Sequence, residues 1–183
     1  LATRMSASMR ANSGARRVLE VGPGTGPFTR KILAELRPAD VYHVVEINPA
    51  FCEYVERSLL QPHRHTNPTH SVSLHEAPIQ DVSFDVPFDH IICGLPFNNF
   101  PLDLVELIFE TMLGLLQPGG DLTYFEYAGV RRLKAPFVGD DERRRLVAID
   151  SLASRLRDTY QGSRSLVLAN VPPAFAIRLA NPT

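Results

Sequence analysis

Apolar positions along this chain recur with two periods. Short, nearly continuous apolar runs fall near 17–21, 41–46, 71–75, 89–93, 121–127, 164–169 and 174–179. Val41-Tyr42-His43-Val44-Val45 and Asp89-His90-Ile91-Ile92-Cys93 are typical, and such runs suit strands covered on both faces in a mostly parallel sheet. Between them apolar residues return every three or four positions, which predicts helices near 3–11, 27–37, 49–60, 101–116 and 140–158. Pro27 and Pro49 stand where a first helical turn tolerates proline, Asn48 can cap the helix after it, and Pro38 and Pro118 follow helix ends. Strands alternating with helices through right-handed crossovers give a doubly wound, Rossmann-like α/β fold. It is a three-layer sandwich around a seven-stranded, mostly parallel sheet. The last two runs are linked only by Asn170-Val171-Pro172-Pro173. That link is too short for a crossover, so the sheet ends in an antiparallel hairpin.

The strand-to-helix junction Val18-Leu19-Glu20-Val21-Gly22-Pro23-Gly24-Thr25-Gly26-Pro27-Phe28-Thr29 is the most informative stretch. Its glycines permit positive φ and a close approach of backbone to a ligand, and the helix opening at Pro27 presents free N–H groups. The spacing differs from the dinucleotide fingerprint G-x-G-x-x-G, whose third glycine would fall at Pro27 or Thr29. A nucleoside bearing a carboxylate fits better, and S-adenosylmethionine is the expected cofactor. Glu20, Gly22, Pro23, Gly24, Thr25 and Gly26 form its expected loop.

Other positions match the needs of such a nucleoside. Glu46-Ile47 ends the second strand, where a carboxylate can accept both ribose hydroxyls. Glu76-Ala77 ends the third, placed to accept from the adenine amine and to donate an N–H to the ring, with Asp81 the rival carboxylate. Cys93-Gly94-Leu95-Pro96-Phe97-Asn98-Asn99-Phe100-Pro101 leaves the fourth strand beside the expected crevice. Gly94, Leu95, Pro96 and Phe97 are placed there to position a methyl acceptor. Methyl transfer is an in-line displacement that needs a positioned lone pair rather than a protein nucleophile, so Cys93 reads as a small buried residue.

Charge and composition narrow the partners. The net charge of the 183 residues is −1, which argues against a grip on structured RNA, and no nucleic-acid partner is expected. The charge is uneven: residues 1–17 hold four arginines and no acid, 18–127 hold 5 basic against 15 acidic residues, and 128–183 hold 10 against 5. Basic ends are compatible with peripheral contact on an anionic membrane. No run reaches the roughly 20 apolar residues of a membrane span, residues 1–11 lack a signal-peptide core, and the 2 cysteines read as free thiols, so a cytoplasmic location is expected. The length suits one domain, 1–183, whose residues 1–16 would form a helix over the cofactor or at a membrane. Gln61–Ser71 reads as a polar loop. Its His63, His65 and His70 have no cysteine or carboxylate at ligand spacing, so no metal site is expected. Asp140–Tyr160 reads as an amphipathic helix with Leu146, Ile149, Ala153, Leu156 and Tyr160 on one stripe. Its arginines, with Arg131, Arg132 and Lys134, are a candidate headgroup-facing surface.

Taken together, Val18–Thr29, Glu46, Glu76-Ala77 and Gly94-Leu95-Pro96-Phe97 resemble the class I S-adenosylmethionine-dependent methyltransferases. Within them the chain is similar to the branch holding rRNA adenine dimethylases and bacterial phospholipid N-methyltransferases. The dimethylases carry Asn at the position of Gly94, and Gly-Leu-Pro is closer to the phospholipid enzymes, as are Tyr124-Phe125-Glu126-Tyr127 and Asn170-Val171-Pro172-Pro173. The resemblance implies methylation of the amine of phosphatidylethanolamine. Phe97, Phe100, Tyr124 and Tyr127 are then candidates to face a cationic amine, and Glu126 to take its proton, although strand alternation sets Tyr124 and Glu126 on one face and Phe125 and Tyr127 on the other. Adenine N6-methylation of rRNA, and a non-catalytic nucleoside-binding protein on the same fold, are the alternatives.

Overall fold

The computed structural model describes residues 1–10, 14–128, 139–170 and 172–182. Five parallel strands lead: β1 (Arg17–Val21), β2 (Val41–Glu46), β3 (Ser71–Glu76), β4 (Phe88–Cys93) and β5 (Leu116–Tyr127). β6 (Ser163–Val167) and β7 (Ala174–Ala180) complete a seven-stranded sheet of order β3-β2-β1-β4-β5-β7-β6. β7 runs antiparallel to both of its neighbours, and the short link before it accounts for its pairing with β6. The strand order reverses between β1 and β4, so their carboxyl ends open the crevice in which such sheets bind ligands.

Helices α1 (Ala2–Met5), α2 (Pro27–Leu33), α3 (Pro49–Val55), α4 (Gln61–Thr66), α5 (Leu102–Gly114) and α6 (Asp140–Thr159) cover the sheet. Strand alternation divides the core. Leu19 and Val21 of β1 and Ile91 and Cys93 of β4 pack with Val105, Ile108 and Met112 of α5 and Ile149 and Leu152 of α6. Val18, Val44 and Ile92 face the other way, toward Met5, Phe28, Ile32, Val55 and Leu60. Burying a side chain of this kind contributes about 1.5–3 kcal/mol, which is why β4, buried at every position, holds the middle.

Three expected elements differ. The helix expected over 3–11 is α1 followed by a 3-10 turn, Ala7–Arg10. The buried guanidinium of Arg16 bonds Asp40 and the carbonyls of Met9 and Glu35, and so ties this segment to the end of α2 and the start of β2. The polar loop expected from Gln61 begins instead as helix: α3 passes through a π-helical segment, Glu56–Leu60, into α4. The wider π turn accommodates Pro62, which has no N–H for the ladder. β5 starts at Leu116, ahead of the apolar run at 121, with a register shift opposite Phe88/His90. At Gly120 a Cβ would lie 3.0 Å from three carbonyl oxygens, a tight fit against backbone that favours glycine at this bulge. Arg131, Arg132 and Lys134 lie outside the described residues.

Candidate active site

β1 delivers the glycine turn to the crevice. Gly22, Gly24 and Gly26 have φ of +72°, +56° and +78°, a region that costs other residues roughly 1–2 kcal/mol. Gly22 is also pressed from above, since a Cβ there would lie 2.4 Å from Leu95 Cδ2. Gly24 has no atom within 4 Å of where its Cβ would stand, which leaves a ligand room. Hydrogen bonds from Gly22 N–H to Val45 O (2.9 Å) and from Gly94 N–H to Val21 O (2.8 Å) fasten the turn between β2 and the loop after β4.

Glu46 meets that turn from the end of β2. Its Oε1 accepts from the N–H groups of Ile47 and Asn48, both at 2.9 Å, and its Oε2 accepts from Gly24 N–H at 3.2 Å. The carboxylate is therefore fixed before a ligand arrives. Beside it lies a largely apolar cavity of about 170 Å³ lined by Gly22, Glu46, Ile47, Ala77, Pro78, Ile79, Gln80 and Leu95, and closed by Phe100, Leu104 and Ile108. Ile47 is 63% exposed at this edge. Ala77 reaches the cavity, whereas Glu76 and Asp81 are exposed and outside its lining. Gln80, whose amide can both donate and accept, stands in the lining instead. Nothing in its sequence setting marked it.

Glu20 is wholly buried and outside the lining of that cavity. Its Oε2 accepts from Thr29 Oγ1 at 2.7 Å and from the Tyr42 hydroxyl, joining β1, α2 and β2. Burial, with a smaller contribution from the nearby Glu46 charge, pushes its pKa to about 7. Burial and the Glu20 charge in turn push the Tyr42 phenol upward. Folded protein thus holds a proton on Glu20 that unfolded protein releases near 4.5, so this group's contribution to stability falls as pH rises from about 4.5 to 7. His43, lowered by burial to about 4 from 6.5, acts in the opposite sense over much of that range. The difference in unfolding free energy between wild type and Glu20→Gln isolates Glu20. It is expected to decline across the window and to level off above it, and a flat difference would show that Glu20 ionises normally.

A second cavity, about 250 Å³, lies on the α5 and α6 side of the end of β5. Pro96, Phe97, Asn98 and Asn99 line it from the loop, Tyr124, Phe125, Glu126 and Tyr127 from β5, and Ile149 and Ala153 from α6. Ring centroids of Phe97 and Phe109 are 4.5 Å apart and those of Phe97 and Tyr124 6.0 Å. Glu126 has Arg157 Nη1 at 3.9 Å. On the opposite face Phe125 stacks edge-on against Phe28 and Tyr127. There Gly22, Pro23, Gly24, Thr25, Gly94 and Tyr127 line a third cavity of about 460 Å³, with Leu1 and Ala2 also in its wall. Phe125 and Tyr127 thus border both of these cavities, whereas Tyr124 and Glu126 border only the second. Ile149 and Ala153 belong to a stripe read from sequence as helix packing, and no local signal showed that they also bound a cavity. Burial raises the Cys93 thiol to about 12, which disqualifies it as a nucleophile at neutral pH.

α6 packs Leu146, Ile149, Leu152 and Ala153 inward. Its five arginines are matched by five acidic residues along the same helix, and Arg143, Arg144 and Arg145 pair with acids three residues away. The helix therefore carries no net positive charge. His63 Nε2 and His70 Nδ1 approach to 2.9 Å, but among the described residues no group of three or more His, Cys, Asp or Glu could hold a metal ion. Among them, too, no helix is long and apolar enough to cross a membrane.

A glycine turn and a fixed carboxylate at the end of β2 flank the crevice where the strand order reverses, the place where sheets of this kind bind ligands. The sequence profile of the family described as "Methyltransferase domain" matches residues 18–120, and the chain belongs to that family. No curated protein sequence matches it. Solved structures share the fold at low identity. The N-methyltransferase NodS from Bradyrhizobium japonicum WM9 is 21% identical with a TM-score of 0.65, over 100% of this chain and 93% of that one. The O-methyltransferase TomG from Streptomyces achromogenes is 16% identical with a TM-score of 0.69, over 98% and 79%. An rRNA methylase from Streptococcus thermophilus is 14% identical with a TM-score of 0.66, over 100% and 94%. NodS has been crystallised with S-adenosyl-L-homocysteine and TomG with S-adenosylmethionine. S-adenosylmethionine is the cofactor of this chain, an S-adenosylmethionine-dependent methyltransferase.

Proposed function

We propose that this enzyme methylates an amine, and that the amine is the headgroup of phosphatidylethanolamine or its partly methylated forms. The observation that carries the reading is the second cavity: aromatic faces from Phe97 and Tyr124 with one carboxylate, Glu126, at the end of β5. Aromatic faces favour a cationic amine by about 0.5–2 kcal/mol. Glu126 is placed to receive the proton that an ammonium must lose before its lone pair can attack.

The residues present fit the cofactor. The positive φ angles at Gly22 and Gly24 and the open space at Gly24 let the amino-acid end of the cofactor approach the backbone of the turn closely. Glu46 would accept the ribose hydroxyls, and Ile47, Ala77 and Gln80 would enclose the adenine. Bound there, S-adenosylmethionine supplies an electrophilic methyl group. The chain's own part is then to orient the amine with Pro96 and Phe97, exclude water with Phe109, Ile149 and Ala153, and hold the released proton on Glu126.

Adenine as acceptor is disfavoured by position 94, where a Cβ would lie 2.4 Å from the Gly22 carbonyl oxygen. The deciding experiment supplies methyl-labelled cofactor with phosphatidylethanolamine vesicles, total RNA and a phenolic acceptor in parallel. Label on the lipid amine is expected. Label confined to RNA or to an oxygen overturns the proposal. Vesicle flotation at low salt tests membrane contact separately, with binding expected to bilayers containing anionic lipid.

A further inference from the structure

The loop after β4 makes part of its turn from within. Phe97 N–H donates to Leu95 O at 3.1 Å, Asn99 N–H to Pro96 O at 2.9 Å and Phe100 N–H to Phe97 O at 3.2 Å. It is also gripped from outside by one residue of α6. Arg145 donates Nη2 to Asn98 O at 2.8 Å and Nη1 to Phe100 O. Glu142, a turn earlier on the helix, orients the guanidinium by accepting from its Nε at 2.9 Å. The Arg145 side chain is only 22% exposed, so these bonds are shielded from solvent. A planar fork can span two carbonyls two residues apart; an ammonium meets one at a time.

The same helix supplies Ile149 and Ala153, one and two turns further on, to the wall of the amine cavity. Arg145 therefore links the loop bearing Pro96 and Phe97 to the helix that supplies part of the cavity wall. Resting on the acceptor assignment above, we propose that Arg145 is a positioning residue for methyl transfer: it holds the acceptor loop in register with the cavity wall through two loop carbonyls. Misplacing an acceptor by about 1 Å can cost about 10²-fold in rate, so a tether at this distance from the chemistry has a measurable effect.

Arg145→Met keeps the apolar stem and removes every donor, whereas Arg145→Lys restores one contact. Two measurements on the full chain are needed: amide hydrogen exchange of segments 94–101 and 17–29, and steady-state transfer to phosphatidylethanolamine with separate titration of S-adenosylmethionine. In Arg145→Met, exchange is expected to accelerate in 94–101 and stay unchanged in 17–29. Transfer efficiency toward the lipid should fall roughly 10- to 100-fold, cofactor affinity should stay within about twofold, and Arg145→Lys should lie between. Unchanged exchange in 94–101 overturns the tether. Faster exchange with undiminished transfer overturns its role in the reaction, as does a loss of transfer explained wholly by lost cofactor affinity or lost folded protein. If the wild type binds the cofactor but methylates no lipid, it is the acceptor assignment that fails, and the exchange comparison still decides whether Arg145 holds the loop.

Discussion

Gly94→Asn is expected to abolish cofactor binding and to lower the thermal midpoint. A Cβ at this position would lie 2.4 Å from the carbonyl oxygen of Gly22. That atom is backbone and cannot swing aside like the end of a long side chain. Gly94 is itself held by its N–H to Val21 O, so strain introduced there passes into the turn that receives the cofactor. Overpacking of this kind costs about 1–3 kcal/mol, or roughly 2–12 °C in a domain of this size. A melt and a calorimetric titration with S-adenosylmethionine check both parts. A Gly94→Asn protein that binds the cofactor like wild type would show that the glycine turn tolerates displacement and would reopen adenine as acceptor.

The second large effect falls on Glu46. Glu46→Ala removes a carboxylate that accepts three backbone N–H groups, one of them from Gly24. In the proposed binding mode it also removes two charge-assisted hydrogen bonds to ribose, each contributing about 1.5–3 kcal/mol. Affinity for S-adenosylmethionine is expected to fall by roughly 10²- to 10⁴-fold, with the fold retained because Val44 and Val45 still anchor β2 in the core. Unchanged affinity in the titration would remove Glu46 from the ribose site.

The fold was largely legible in the residues. Seven apolar runs fall on seven strands, and the short link at 170–173 set the antiparallel ending, because pattern and link length act locally. The failures were of another kind. Gln61–Ser71 reads as a polar loop, but the π-helical segment before Pro62 lets helix continue to Thr66, with Leu59 and Leu60 packed into the core. The glycine turn and the placement of Glu46 beside it were visible because both depend on local conformation and strand position. Gln80, Ile149 and Ala153 were not. They reach their cavities only through the docking of Ala77–Gln80 and of α6, which no local spacing encodes. Glu20 could be identified as part of the turn, yet its wholly buried tie to Thr29 and Tyr42 emerges only from the packed sheet.

The alternation at the end of β5 has a consequence for diversification. Tyr124 and Glu126 border the acceptor cavity, while Phe125 and Tyr127 border both it and the space against the glycine turn. Positions 124 and 126 can thus change what is methylated with little disturbance to the methyl donor's surroundings, whereas a change at 125 or 127 touches both. A scaffold wired in this way can take up new acceptors without rebuilding its core, and solved structures of this fold are indeed named for N-, O- and rRNA methylation.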